Sequence, residues 1–292
     1  MTTTRTLETS GATLTYDVRG DLPPADGRPP LLMVAQPMDA SGFGTLASHF
    51  GDRTVVTYDP RGLGRSTRTD GRTDHEPEEQ ADDLHHLIEA LDAGPVELFA
   101  SSGGAVTALA LVAAHPADVT TLVAHEPPLL SILPDADRAF AAERDVQAAY
   151  QQGGFGAGLA AFIALTSWQG EFTVAFASQP APDPAQFGLP THDDGSRDDP
   201  LLSGSSNAVT AYRPNFDAVA AAPTRVVIAA GIESQGTLTG RTAESAAEAL
   251  GQPVTIFPSH HGGFLGGEFG QRGEPEVFAP RLREVLAGGG AG

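Results

Sequence analysis

A serine in a tight turn is the first residue of this chain whose surroundings suggest chemistry. Ser102 lies between an apolar segment that ends at Ala100 and a run of small residues that begins at Gly103. A serine on a sharp strand-to-helix turn projects its hydroxyl above the sheet, and its neighbours must be small because strand and helix nearly touch. The spacing Ala100-x-Ser102-x-Gly104 therefore predicts a nucleophile, although a capping serine in an ordinary turn gives the same pattern. The N–H of Gly103 would then face the developing oxyanion.

A base for this serine is available near the other end of the chain. A serine hydroxyl is inert at neutral pH until an adjacent base takes its proton. His260 and His261 follow the last apolar segment, and two glycines after them allow the backbone to pass close to a site. His85 and His86 occupy an ordinary helical pattern in which adjacent residues point to different faces, so we predict no metal site there.

Alternating strand and helix patterns provide the elements that must position these residues. Residues 6–20 alternate in polarity and predict an opening hairpin. Buried strands are predicted at 31–35, 55–58, 96–100, 119–124, 224–231 and 254–257. Helices are predicted at 44–49, 78–91, 103–114, 239–250 and 274–286. This alternation predicts an α/β fold with a mostly parallel, twisted sheet, helices on its sides, and ligands at the carboxyl ends of the strands.

The alternation stops between residues 127 and 222. This segment is rich in alanine and glycine, with helical patterns at 135–151 and 158–168 and a loop-like stretch at 179–206. We expect a mainly helical lid at 127–222, inserted into a core formed by 1–126 and 223–287. The glycine-rich residues 288–292 are expected to be a disordered tail.

Composition excludes several classes of protein. The chain has no cysteine, which removes disulfides, thiolate nucleophiles and cysteine-ligated metals. It has no lysine, which removes Schiff-base and pyridoxal chemistry and the P-loop. A formal net charge of −20 argues against nucleic acid or an anionic membrane as a partner. No signal-like or membrane-spanning pattern is apparent, so a cytoplasmic location is expected.

The order of these motifs resembles that of the α/β-hydrolases over nearly the whole chain. The resemblance is carried by Tyr58-Asp59-Pro60-Arg61-Gly62-Leu63-Gly64-Arg65-Ser66, by the turn at Ser102, and by His261-Gly262-Gly263-Phe264. It implies the α/β-hydrolase fold with Ser102 as nucleophile, and it favours His261 as base because that histidine directly precedes Gly-Gly-Phe. Asp59 and Arg61 are then expected to brace neighbouring loops rather than to react.

The resemblance leaves the acid of the triad open between two glutamates. The family's acid commonly stands three residues beyond the glycine that corresponds to Gly231, where this chain has Ser234, with Glu233 one position earlier. Glu126 follows the strand after the serine's helix, and a glutamate there resembles the arrangement in some lactone-cleaving members, including the zearalenone hydrolases. Glu126 is favoured and Glu233 is the alternative.

A second oxyanion donor is expected from the loop after residues 31–35. Family members often have His-Gly there, whereas this chain has Gln36-Pro37-Met38. Because proline has no N–H, the donor is Met38 or Gln36, and Met38 is preferred. Substrate contacts are expected from Gln36, Trp168 and Phe172, although aromatic residues at such spacing more often form the core of a lid.

Together these observations predict a cofactor-free serine hydrolase, without metal, that cleaves a carboxylic ester or lactone of a small, largely apolar molecule. Three alternatives stay open. The same triad could hydrolyse a carbon–carbon bond or a thioester, or form a peracid. The cleft could serve as a small-molecule receptor, or the lid as a surface for partner contacts.

Overall fold

One sheet of nine strands organises the computed structural model, which describes residues 2–289. The strands are β1 Thr2–Thr9, β2 Ala12–Arg19, β3 Leu31–Gln36, β4 Val55–Asp59, β5 Thr67–Arg68, β6 Val96–Ser102, β7 Val119–His125, β8 Arg225–Gly231 and β9 Thr255–Phe257. Their order is β1-β2-β4-β3-β6-β7-β8-β9, and the short β5 pairs with β2. Only the pairs made by β1, β2 and β5 are antiparallel; β4, β3 and β6–β9 run parallel.

Helices cover both faces of this sheet. The helices are α1 Gly44–Ser48, α2 Pro77–Leu91, α3 Gly103–Ala114, α4 Ala136–Ser167, α5 Val174–Ala177, α6 Asn207–Ala211, α7 Phe216–Ala221, α8 Leu238–Ala249 and α9 Pro275–Leu286. Strand β3 shows why: Leu32 and Val34 pack with α2, α3 and α8, while Leu31 and Met33 pack with α1 and α9. A strand whose side chains are apolar on both faces is stable only between two helical layers. The predicted α/β architecture is confirmed.

The segment between β7 and β8 is mainly helical and has an apolar cluster of its own. Tyr150, Phe172 and Leu202 are among its fully buried side chains. The two helices expected at 135–151 and 158–168 are joined in α4, which is kinked where Gly154 has φ 74° and ψ −165°. Helices α6 and α7 were not expected, because each is only five or six residues long and shows no complete helical period.

Buried ion pairs brace the turn after β4, as the resemblance implied. Asp59 accepts the N–H groups of Ala40 and Arg65 at 2.9 Å each. Arg61 donates twice to buried Asp83, at 2.6 and 2.5 Å. These contacts fix the loops that flank the ends of β3 and β4.

The C-terminal tail and the apolarity of the helices were both subjects of a prediction from the sequence. Of the expected tail 288–292, residues 290–292 lie outside the described residues. Within residues 2–289, none of the helices combines the length and apolarity needed to cross a bilayer.

Candidate active site

Ser102 sits at the point where β6 turns directly into α3. Its backbone has φ 56° and ψ −131°, a conformation that non-glycine residues adopt at a cost of order 1–3 kcal/mol. Helix α3 approaches β3 so closely that a methyl group at Gly104 would lie 2.6 Å from Cα of Ala35. A residue larger than glycine would therefore push the helix away from the sheet. The sharp turn and the small neighbours are those of a nucleophile elbow.

His261 and Glu126 form a close pair on loops that follow β9 and β7. Nδ1 of His261 lies 2.7 Å from Oε2 of Glu126. Glu126 is fully buried, and its backbone also has a positive φ of 49°. Its Oε1 accepts the N–H of Gly231 at 2.8 Å, and its Oε2 accepts the hydroxyl of Thr239 at 2.5 Å. A carboxylate held by donors on two sides has one orientation, and it presents Oε2 to the imidazole.

The electrostatics of this pair favour an ionised carboxylate. Burial alone would raise the pKa of the Glu126 carboxyl, but the neighbouring His261 and its hydrogen bond hold that pKa well below the usual range. An acceptor at Nδ1 places the imidazole proton on that nitrogen and leaves the Nε2 lone pair available to take a proton.

Ser102, Gly103 and His261 line one cavity of about 420 Å³. The core contributes Gln36 and the loops after β8 and β9, while α4 and α6 close the opposite side. The cavity is large enough for a small organic ligand, and most of the surface area of its wall is apolar. Helix α6 packs directly against the elbow. A methyl group placed at Gly103 would lie only 3.2 Å from Cγ1 of Val209 in that helix.

The imidazole of the neighbouring His260 forms hydrogen bonds with the backbone of its own loop. Its Nε2 contacts the carbonyl oxygen of Arg272 at 3.1 Å, and its Nδ1 accepts the N–H of Gly262 at 3.0 Å. Both ring nitrogens are thus engaged, whereas His261 directs Nδ1 to a carboxylate. This difference supports His261 over its neighbour as the base.

A third histidine lies behind the pair. His125 is fully buried at the end of β7, and its Nδ1 lies 3.2 Å from Oγ of Ser101. Burial lowers the pKa of His125 to about 4, so its ring is neutral at physiological pH. The side chain of Ser101 therefore points into the core, away from the cavity that Ser102 lines.

Of the other predicted site residues, Glu233 and Gln36 line the cavity and Met38 does not. Glu233 is exposed at the cavity wall and has no ion pair among residues 2–289, which leaves Glu126 as the only one of the two glutamates paired with His261. Gln36 lines the cavity while only 2% exposed. The side chain of Met38 packs beneath the sheet beside Gly42, so only its backbone is a candidate donor.

Trp168 and Phe172 do not line the cavity, which corrects their expected role as substrate contacts. Phe172 is buried in the cluster of the helical segment, and Trp168 packs edge-on against Phe176. The aromatic residue that does reach the cavity is Phe162. Helical spacing does not apply to these two residues, because Trp168 has an extended backbone at the end of α4 and Phe172 lies beyond that helix.

A cluster of polar side chains from α4 and α6 was not predicted from the sequence. Glu143, Gln147, Asn207 and Thr210 all line the cavity. A signal for Glu143 was present, because it falls on the face of the predicted helix 135–151 that carries Ala139, Ala142 and Val146. A carboxylate on an apolar helix face is unusual and points to a local function.

Side chains able to ligate a metal meet at two places within residues 2–289. One is the group of His125, Glu126 and His261 described above. The other consists of His85, His115 and Asp118 on the far side of α2, where Nδ1 of His85 lies 2.7 Å from Asp118 and the two imidazoles are stacked. The hydrogen bond and the stacking account for that arrangement.

Comparison with known proteins agrees with this geometry. Residues 40–166 match a family model described as the alpha/beta hydrolase fold. An uncharacterized hydrolase, YraK of Bacillus subtilis, is 38% identical over 129 residues. That match covers 44% of this chain and 46% of YraK, so the chain spans about half the length of the curated relative it matches.

Two solved structures resemble nearly the whole chain. A thermophilic esterase from Thermogutta terrifontis has a TM-score of 0.64 at 20% identity, with 98% of each chain covered. A hydrolase from Pseudomonas aeruginosa has a TM-score of 0.65 at 18% identity, with 97% of this chain and 98% of that chain covered. The family match over residues 40–166 and these neighbours show that the chain has the α/β-hydrolase fold.

Proposed function

We propose that this chain is a cofactor-free serine hydrolase that cleaves a carboxylic ester or lactone of a small, largely apolar molecule. The observation that carries the proposal is the 2.7 Å contact between His261 and buried Glu126, because His261 lines the same cavity as the strained Ser102. A nucleophile and a base that line one cavity, with a buried acid behind the base, are the parts that acyl transfer requires. The esterase and hydrolase neighbours support the reaction class by their fold.

In the proposed reaction, Ser102 attacks the carbonyl carbon while Nε2 of His261 takes the hydroxyl proton. Glu126 stabilises the imidazolium that forms, and the histidine then returns the proton to the leaving alcohol. Water activated by the same histidine hydrolyses the acyl-enzyme.

The tetrahedral oxyanion would be held by backbone N–H groups of Gly103 and Met38. Within residues 2–289 the N–H of Met38 donates no hydrogen bond to the protein, which supports this role, although Met38 itself is not among the residues that line the cavity. Each such donor contributes about 10²–10³ in kcat in enzymes of this kind. Residues 127–222 would act as the lid, since α4 and α6 close one side of the cavity.

Steady-state turnover of a panel of simple esters, lactones and thioesters tests the proposal. Ser102→Ala and His261→Gln should each lower kcat by about a thousandfold or more, because each removes a member of the triad. His260→Gln is the matched control, and it should retain activity within about tenfold because both nitrogens of His260 face its own loop. Full activity in Ser102→Ala would overturn the proposal.

A further inference from the structure

The cavity wall that faces the elbow carries a carboxyl group for which the proposed reaction has no use. Glu143 lies on the inner face of α4, between Ala139, Ala142 and Val146, all of which are buried. It lines the cavity together with Thr210 of α6. The residue before Thr210 is Val209, which touches the elbow at Gly103. This carboxyl group therefore lies in the same cavity as the nucleophile, on the wall that α4 and α6 form.

Glu143 lacks a positively charged partner. No salt bridge to it is formed within residues 2–289, and the adjacent Arg144 is exposed on the other side of the helix. Burial raises the pKa of the Glu143 carboxyl, and the Thr210 hydroxyl and the charge of the neighbouring Arg144 offset that rise only in part. A partly buried carboxyl group without a cation loses part of its hydration, and a ligand at the cavity can supply a donor in its place.

The carboxyl groups that line the cavity have the same negative sign as the net charge of the protein. Its ionisable lining consists of Glu143, Glu233, His260 and His261, and none of the arginines among residues 2–289 reaches it. The surrounding protein carries a formal net charge of −20. A cleft of one sign attracts neutral or cationic ligands and repels anions.

We infer that Glu143 is a specificity-determining residue, and that the site takes esters or lactones that carry a hydrogen-bond donor, an ammonium or a hydroxyl group, away from the scissile carbonyl. Substrates that carry a carboxylate are rejected. The inference rests on the proposed function and names its substrate class. The apolar wall around Glu143 accommodates the carbon skeleton, and the carboxyl group selects its polar end.

Four matched substrates test this inference. They are 4-nitrophenyl esters of trans-4-substituted cyclohexanecarboxylic acids whose substituent is methyl, hydroxymethyl, aminomethyl or carboxyl. The trans geometry prevents internal attack on the ester. For the wild-type chain, kcat/KM of the aminomethyl and hydroxymethyl esters should exceed that of the methyl ester by about tenfold or more, because each pairs Glu143. The carboxyl ester should fall below the methyl ester.

Two substitutions at Glu143 separate charge from hydrogen bonding. Glu143→Gln should abolish the preference for the aminomethyl ester and keep that for the hydroxymethyl ester, because an amide still accepts a hydrogen bond but carries no charge. Glu143→Leu should abolish both preferences while the methyl ester is still cleaved. The control is Asp145→Asn, which removes one negative charge from the exposed side of the same helix and should leave the ranking unchanged.

The outcomes distinguish the two proposals. Cleavage of the methyl ester that depends on Ser102, with the four esters ranked alike in wild type and Glu143→Leu, would overturn the inference and leave the hydrolase proposal intact. A wild-type preference for the carboxyl ester would also overturn it. Turnover of none of the esters, together with no reaction of Ser102 with a fluorophosphonate, would instead contradict the proposed function.

Discussion

Replacing the buried glutamate by its amide should inactivate this protein without unfolding it. In Glu126→Gln, the amide must satisfy the N–H of Gly231, the hydroxyl of Thr239 and the ring of His261 at the same positions. If the amide oxygen stays at the Oε2 position, its NH₂ faces the N–H of Gly231, and two donors oppose each other. If it rotates, the NH₂ faces Nδ1 of His261 and favours the tautomer that carries its proton on Nε2.

That tautomer cannot accept the proton of Ser102, so the loss should be large. The same exchange of acid for amide in a serine protease triad costs about 10⁴ in kcat. We expect a fall of about 10³–10⁴, equivalent to about 4–5.5 kcal/mol of transition-state stabilisation. The assay is steady-state hydrolysis of an active ester, with circular dichroism of the variant to verify that it is folded.

Glu233→Gln is the matched control for this experiment. Glu233 is exposed and forms no contact with His261 among the described residues, so kcat should change by no more than about twofold. A folded Glu126→Gln variant that keeps more than a tenth of wild-type activity would refute the reasoning. Loss of activity in Glu233→Gln alone would move the acid to the loop after β8.

The remaining predictions concern stability, measured as the free energy of unfolding in urea. Gly104→Ala should lose about 1–3 kcal/mol because its methyl would overlap the backbone of β3, whereas Gly51→Ala, with no atom nearer than 3.9 Å, should lose little; equal losses would contradict the close packing at the elbow. Arg61→Met should lose about 3–5 kcal/mol by leaving Asp83 buried and unpaired, and a variant as stable as wild type would disprove the bracing role. Folding lowers the pKa of Glu126. The Glu126 carboxylate therefore contributes to the free energy of unfolding at pH values above its unfolded-state pKa of about 4.5, and this contribution is lost progressively as the pH falls below that value. The stability difference between wild type and Glu126→Gln should therefore narrow from pH 6 to pH 3, and a constant difference would argue against a depressed pKa.

The architecture could be predicted from the sequence because each element carries its own pattern. The strand at 31–36 is apolar on both faces, and α2 repeats apolar residues at helical spacing with acidic residues in its first turn. These signals are local, so they require no knowledge of packing. The turn at Ser102 has a recognisable local sequence, although the need for Gly104 comes from a contact with β3, a strand far from it in the chain.

The contact between the acid and the histidine joins two loops that lie far apart in the chain. Glu126 and His261 are separated by 135 positions, and only the resemblance to known hydrolases suggested that the two loops meet. Burial and the donors from Gly231 and Thr239 favour Glu126 over Glu233 in the proposed reaction, and no sequence period encodes these features.

The helical segment over the site could not be predicted residue by residue. Its helix α4 changes direction at Gly154, so the face that Trp168 presents cannot be extrapolated from that of Glu143. Phe172 packs inside the segment and Phe162 reaches the cavity, although both are apolar and lie within a dozen residues. Long-range packing, not local propensity, determines which of them meets a ligand.

The reactivity of Ser102 tests the central claim most directly. The protein would be incubated with a fluorophosphonate probe, digested, and mapped by mass spectrometry, with His261→Gln treated in parallel. We expect one labelled site, at Ser102, and labelling slowed by about a thousandfold in the histidine variant because the base that activates the hydroxyl is gone. Labelling at another serine, or labelling of Ser102 at the same rate without His261, would contradict the account.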